Sequence, residues 1–256
     1  FDKADGGKSP NGVSTNGAAE GAVKLVEDRT SKVLAFNGDD AVSCPGVGRF
    51  ARYDPFSIGL WLKPAEARPR AVVLHLSQAW TDSGSRGYEL VLDAGRPFFG
   101  LIHFWPGNAI AVRALDKLPV GEWSHVAVTY DGSSTAAGLA LYVNGRRAQA
   151  EVVRDNLYKD IRHRGEWGDS AAGSLSLSLG ARFRDNGFRN GRIDDLVVHG
   201  VALTPWEVSQ LAGVAAAPSP ADLAEWHAQR MDPVVAGARA ALAKARADED
   251  ALVTGL

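Results

Sequence analysis

From about residue 33 the chain repeats one rhythm: a short, largely apolar run, then a cluster of Gly, Pro, Asp or Asn. The runs read "VLAFN", "FSIGLWLK", "RAVVLHLS", "GYELVLD", "PFFGLIHF", "AIAVRA", "WSHVAVTYD", "GLALYVN", "RRAQAEV", "SLSLSLGA" and "RIDDLVVHG". Each is strand-sized, and turn chemistry between them predicts an all-β chain of antiparallel strands packed as two sheets. Alternation within the runs assigns faces. In "FSIGLWLK", Phe56, Ile58, Leu60 and Leu62 share a core face, opposite Ser57, Gly59, Trp61 and Lys63. In "WSHVAVTYD", Val126, Val128 and Tyr130 face inward with Ser124, and Trp123, His125, Ala127 and Thr129 form a mixed outer face. Asn144 and Gly145 tolerate the positive φ of a two-residue hairpin turn.

The pattern changes at both ends. The first 32 residues are rich in Gly, Asn, Ser and Lys and read as loop, with a short edge strand at "FDK". After the last strand, Thr204, Pro205 and Glu207 supply the N-cap, first position and capping box of a short helix that stops at Gly213. "AAAPSP" is a linker; Ser219 and Pro220 open a second helix, and an Ala-rich charged helix follows Pro233. The expected division is a sandwich over residues 1–213 and a linker with helical extension over 214–256, which leads into, or packs beside, a further domain. The start at Phe1 fits a piece of a longer protein.

Composition narrows the function classes. The 256 residues are 45% hydrophobic and 23% charged, with formal net charge −2, so no general field draws nucleic acid or an anionic membrane. No apolar run is long enough for direct membrane insertion. The single cysteine, Cys44, rules out an internal disulfide or a multi-thiolate zinc site and reads as a small buried strand residue. The six histidines show no metal-ligand spacing, "GVGRF" lacks a dinucleotide fingerprint, and there is no nucleophile elbow.

"VLAFNGDDAVSCP", "FSIGLWLKP", "EWSHVAVTYDG", "LALYVNGRR" and "GRIDDLVVHGVALTPWEV" occur in an order that resembles the bacterial laminin-G-like, concanavalin-A-like jelly-roll domain, over Phe1 to about Leu211. "GYELVLDAGRPFFGLIHFWPGNAIAVRA", "RDNLYKDI" and "LGARFRDNGF" resemble more narrowly the version in large bacterial proteins that also carry cytochrome-c-like segments. The resemblance implies a jelly-roll sandwich with a C-terminal helical extension, in an exported, extracytoplasmic multidomain protein.

"RIDDLVVHG" sets Asp194 beside Asp195 in an apolar strand. Strict alternation puts Ile193, Asp195, Val197 and His199 on one face and Asp194, Leu196 and Val198 on the other, so the two carboxylates should diverge. Each needs a partner if buried. The resemblance implies a structural calcium ion between the closing strand and the early "FNG" turn, with Asp194 or Asp195, Gly38 and Asp39 as the matching residues. Calcium takes about six to eight oxygens, which one carboxylate, carbonyls and waters can supply. The alternative is that the acids cap turn amides or pair with Arg192, Arg49 or Arg52. Glucanases of this fold carry Glu-x-Asp-x-x-Glu on one strand; that pattern is absent, and Glu166 with Asp169 is a loop imitation of the wrong spacing.

A sugar site calls for aromatic platforms with polar neighbours on loops. Three loops qualify: Trp80, Asp82 and Arg86; His103, Trp105 and Asn108; Asn156, Tyr158, Lys159, His163 and Trp167. Each of their tryptophans is equally a loop plug. Trp61 and Trp123 read as packed strand residues and Trp206 as the docking residue of its helix. Arg182, Arg184, Asp185 and Arg189 form either an exposed anionic-ligand site or a solvated hairpin stitched by Arg–Asp pairs. The expected function is a noncatalytic recognition module for a polysaccharide or glycoconjugate. The alternative is an interaction domain packing on neighbouring domains of its own chain, and a glycoside hydrolase is the weakest reading.

Overall fold

The computed structural model describes residues 18–20, 23–29, 31–165 and 173–254. The expected "FDK" strand, Glu166, Trp167 and Asp169 lie outside the described residues. The strands in chain order are β1 Ala18–Glu20, β2 Lys24–Asp28, β3 Ser31–Ala35, β4 Ala41–Cys44, β5 Phe56–Lys63, β6 Arg70–Leu76, β7 Gly87–Asp93, β8 Arg96–Phe104, β9 Asn108–Ala114, β10 Ser124–Tyr130, β11 Leu139–Val143, β12 Arg146–Arg147, β13 Ala150–Asn156, β14 Leu177–Leu179 and β15 Arg192–His199. Helices α1 Pro205–Leu211, α2 Pro220–Arg230 and α3 Pro233–Thr254 follow. Among the described residues the strands form two antiparallel sheets. The long sheet runs β1-β4-β14-β6-β7-β8-β9-β13 and the short sheet β12-β11-β10-β5-β15-β3-β2. Sequence neighbours repeatedly part to opposite sheets, which gives the expected jelly-roll sandwich.

The core between the sheets follows the alternation. Phe56, Ile58, Leu60 and Leu62 are all buried, and β10 contributes Val126, Val128 and Tyr130. The long sheet answers with Leu90, Leu92, Phe99 and Leu101. At one end the Phe56 ring stacks on Phe50 at 4.5 Å and lies 5.3 Å from Tyr130 and 5.8 Å from Tyr88. Tyr88 donates its hydroxyl to the Gly48 carbonyl at 2.9 Å, so its polar tip is satisfied although the ring is buried. Cys44 is a buried strand residue, as expected.

Local turn and cap chemistry also holds. Asn144 and Gly145 take φ of 49° and 77° between β11 and β12. Thr204 and Glu207 close the capping box of α1 reciprocally, at 3.3 and 2.7 Å. The residue docking α1 on the short sheet is Val208, packed with Ala127 and Tyr142; Trp206, expected in that role, is only half-buried.

The adjacent aspartates depart from simple alternation. Asp194 pairs with Trp61 and Val197 with Gly59, so β15 carries one extra residue opposite β5. This is a β-bulge, with Asp195 at φ 48° in the left-handed region that Asp tolerates better than most residues. The bulge returns Leu196 and Val198 to the core side with Ile193. It also lets both carboxylates reach one guanidinium: Arg29 Nη1 lies 3.0 Å from Asp194 and 3.2 Å from Asp195. Arg29 further covers the Trp61 ring at 4.2 Å. None of the arginines expected for the aspartates is their partner. Arg192 pairs with Asp28, Arg52 with Asp250, and Arg49 donates to the carbonyls of Gly173 and Leu175.

The helical extension returns to the sandwich instead of only leading away from it. Arg230 of α2 pairs with Glu207 at 2.8 Å, and Arg246 of α3 donates to the Asp131 carbonyl at 2.9 Å. Near its end, Asp250 is 2% exposed and accepts from Arg52 and Arg164, each at 2.8 Å. Arg164 also holds Asp160, whose carboxylate is buried. Burial pushes the Asp160 carboxyl up, but Arg164 and Arg162 outweigh it and hold the group below the usual carboxylate range. Asp250→Ala strips a buried cationic pair of one anion and is expected to cost about 3 kcal/mol. Urea unfolding checks this; a loss below about 0.5 kcal/mol would show that α3 does not depend on this anchor.

Candidate recognition face on the long sheet

Residues that point away from the core form a continuous row across the long sheet. Through successive strand pairs it runs Ser43, Ser178, His75, Glu89, Gly100 and Ala111, and then reaches Arg154 on β13. Gly100 and Ala111 are too small to cover the sheet, and Trp105 fills the space, packing with Val72, Val91, Phe98 and Ala111. Trp80 lies 6.2 Å from Trp105. Guanidinium groups lie over both indoles: Arg70 at 3.9 Å and Arg182 at 5.1 Å from Trp80, and Arg154 at 5.4 Å from Trp105.

Beneath Trp80 sits a cluster of four charges. Arg182 reaches Glu89 and Asp185, both at 2.5 Å, while Arg70 reaches the same two at 3.1 and 2.9 Å. The side chains of Arg182, Glu89 and Asp185 have no solvent exposure. Burial pushes the Asp185 carboxyl up; Arg70 and Arg182 overcome it and hold the group below the usual carboxylate range. The Arg–Asp stitching of the 182–189 segment is present in Arg182 and Asp185, but it is buried instead of solvated, because Glu89 and Arg70 of the sheet join it. Glu89 is hidden inside "GYELVLD", a largely apolar run in which it carries no local sign of a partner.

His75 joins this cluster through an ordered chain. Arg182 donates to Ser77 Oγ at 3.1 Å, Ser77 lies 3.1 Å from His75 Nδ1, and His75 Nε2 is 2.9 Å from the Ala181 carbonyl. A carbonyl only accepts, so Nε2 carries the proton and neutral Nδ1 accepts from the serine. Burial, then the nearby Arg182 charge, push the His75 pKa down to about 4. His125, on the short sheet, is likewise lowered to about 4 by burial and by Arg29.

The three loops expected to hold a ligand converge, but their polar groups mostly bind one another. Trp105 donates its backbone N–H to the Asp82 carbonyl at 3.2 Å, and Asn156 donates to the Gly107 carbonyl at 2.7 Å. Buried Asn108 accepts from the Tyr158 and Lys159 amides at 3.0 and 3.4 Å. Arg86 donates to the His103 carbonyl at 3.3 Å, His103 to the Asp160 carbonyl at 2.6 Å and His163 to the Arg86 carbonyl at 3.1 Å. Asp82 and Tyr158 present exposed side chains, whereas Trp80 and Trp105 are half-buried.

The donors expected for calcium do not converge. Arg192 pairs with Ala35 across β15 and β3, so Asp194 lies level with Val33. The turn at Asn37 is four residues further on, about 13 Å along an extended strand. Gly38 instead faces Arg189 and Gly187, where a β-carbon on Gly187 would meet the Gly38 carbonyl at 2.0 Å. Asp39 donates its amide to the Asn37 side chain at 2.9 Å. Among the described residues no group of three or more His, Cys, Asp or Glu is arranged to hold a metal ion. The residues present do not fit the expected ion, because Arg29 supplies the positive charge beside the aspartates.

The two antiparallel sheets define a β-sandwich of the jelly-roll class. The family model described as the concanavalin A-like lectin/glucanases superfamily matches residues 36–209, and this chain belongs to that family. A search of curated proteins finds no match. Among solved structures, domain 4 of AbnA, a GH43 extracellular arabinanase from Geobacillus stearothermophilus in complex with arabinotriose, is similar at 20% identity and TM-score 0.50, over 77% of this chain and 87% of that one. The binding domain of Paraclostridial Mosquitocidal Protein 1 is similar at 18% identity and TM-score 0.56, over 80% of this chain and 48% of that one. The Botulinum neurotoxin serotype G binding domain follows at 14% identity and TM-score 0.53, over 80% and 47%. The chain thus spans about half the length of the two toxin binding domains. At these identities the likeness is one of fold.

The buried histidines set a pH dependence. Their folded pKa lies below the ordinary 6.5, so the unfolded chain takes up protons that the native protein refuses. Stability is full above pH 6.5 and is lost as pH falls towards about 4, by about 1.4 kcal/mol per pH unit for each such histidine. Urea unfolding of His75→Gln at pH 7, 6 and 5 is expected to show one proton's worth less slope than the native chain; an unchanged slope would contradict the buried neutral His75.

Proposed function

We propose that this domain is a noncatalytic recognition module that binds carbohydrate on the outer face of its long sheet, within a larger exported protein. The observation that carries the reading is a pre-organised aromatic pair: half-exposed Trp80 and Trp105, with Trp80 held against the ion-paired Arg70 and Arg182. Pre-organised groups lose little freedom on binding, which is how a shallow site gains affinity. Its two acids, Glu89 and Asp185, are each shared between Arg70 and Arg182. Glycoside hydrolysis needs one carboxyl able to give a proton and a second able to attack or activate water. A pair without solvent exposure, clamped by two guanidinium groups, suits the positioning of Trp80 better than turnover. The solved arabinanase domain with arabinotriose supports a sugar as ligand by likeness of fold.

A second reading, an interaction domain packing on other parts of its own protein, draws on a different observation. Val234 and Leu252 on α3 are 78% and 73% exposed, and Met231 beside it is 61% exposed. Native gels containing soluble polysaccharides separate the two. Retardation by at least one polysaccharide, with no release of reducing ends on prolonged incubation, is the expected outcome. Free migration in every gel would overturn the carbohydrate reading in favour of the interaction domain, and steady release of reducing ends would overturn the noncatalytic one.

A further inference from the structure

The same face holds a cleft that the tryptophan loops do not form. Where the row reaches β14 and β4 the side chains shrink: Ser178 stands directly opposite Ser43, their hydroxyls 3.5 Å apart, with Ser176 beside them. Towards the middle of the sheet the cover of Trp80, Arg182 and Asp185 is tall. The step between short and tall side chains leaves an open cleft of about 590 Å³, within the usual range of about 300–1,000 Å³ for small-molecule sites.

Its lining has a definite chemistry. The serine hydroxyls of the floor can each donate and accept, and the exposed Gln78 carboxamide on the wall does both. The charges nearly cancel: Asp39 opposes Arg184, and Arg182 and Asp185 are committed to each other. His75, on the floor, is neutral at ordinary pH and has both nitrogens engaged. Such a lining suits a neutral, hydroxyl-rich ligand over an anion.

At the wall, Phe183 is 68% exposed. A single exposed phenylalanine is ordinary on a protein surface; this one stands on a backbone that is anchored to the neighbouring segment. Its carbonyl accepts the Trp80 amide at 3.0 Å, and residue 183 bridges to Ala79 on the backbone. The Arg184 guanidinium lies 5.3 Å from the ring. An exposed aromatic ring on an anchored backbone, beside a hydroxyl-lined trough, is the pairing that a pyranose or furanose needs, because a sugar has an apolar face edged by hydroxyls.

We infer that this cleft is a subsite for a neutral oligosaccharide, with Phe183 stacking on one sugar ring and Ser43, Ser178 and Gln78 exchanging hydrogen bonds with its hydroxyls. The inference rests on the carbohydrate-recognition reading and adds the place and the ligand class. The test is affinity electrophoresis of the full chain in the neutral polysaccharide that retards it most, comparing Phe183→Ala and Ser178→Tyr, with melting temperature as the check of folding. Loss of the aromatic platform is expected to weaken binding at least tenfold, and the tyrosine, by filling the trough, to abolish it. Should no polysaccharide retard the native chain, the recognition reading fails and the subsite with it. Retardation of the native chain and of both folded variants alike would overturn the subsite and leave recognition standing. Retardation by charged polysaccharides alone would overturn the neutral ligand class.

Discussion

A carboxylate taken out of water must be given a cation or lose its charge, and that constraint organises the surfaces of this sandwich. It is met three times by arginine. On the short sheet Arg29 serves the buried Asp194 and also reaches the exposed Asp195. At the edge of the sandwich Arg52 and Arg164 hold Asp250 of α3, with Arg164 also holding Asp160. On the long sheet Arg70 and Arg182 share Glu89 and Asp185. The planar guanidinium suits this work because its five fixed donors can bridge two carboxylates at once. Each cluster joins segments far apart in the chain, so the charges act as cross-links laid over a core that apolar burial already holds together.

The long-sheet cluster has the largest consequence for function. Through Ser77 it engages His75 Nδ1, and Arg70 and Arg182 both lie against Trp80, which neighbours Trp105. The middle of the face becomes a tall, rigid surface, and the serines of β4 and β14 lie below it. Recognition then depends less on mobile loops than on this relief. The tryptophan-bearing loops spend much of their hydrogen-bonding capacity on one another, through Asn108, Asn156 and His103.

Features set by neighbours in sequence could be read in advance. The alternation of Phe56 to Leu62, the Asn144–Gly145 turn and the Thr204 cap each depend on residues within a few positions. The bulge at Asp195 could not be read, since a single added residue exchanges the faces of a strand without changing its composition. Nor could Arg29, whose partners lie 165 and 166 residues away. The tryptophans were found by type, but type alone does not say that arginines would lie over Trp80 and Trp105. Phe183 and Ser178 went unremarked because a lone aromatic in a polar hairpin, or a serine in a short strand, acquires meaning only when strands distant in sequence place them along one cleft.

The most direct test of the charge constraint is a double-mutant cycle on the long-sheet cluster, with stability measured for Glu89→Gln, Arg182→Met and the pair. If the buried charges depend on each other, each single change strands an opposite charge and the double change relieves part of that cost. A coupling of about 2 kcal/mol between the two sites is expected. Single effects that add to within about 0.5 kcal/mol would contradict it, and would mean that the face is held by its apolar contacts alone.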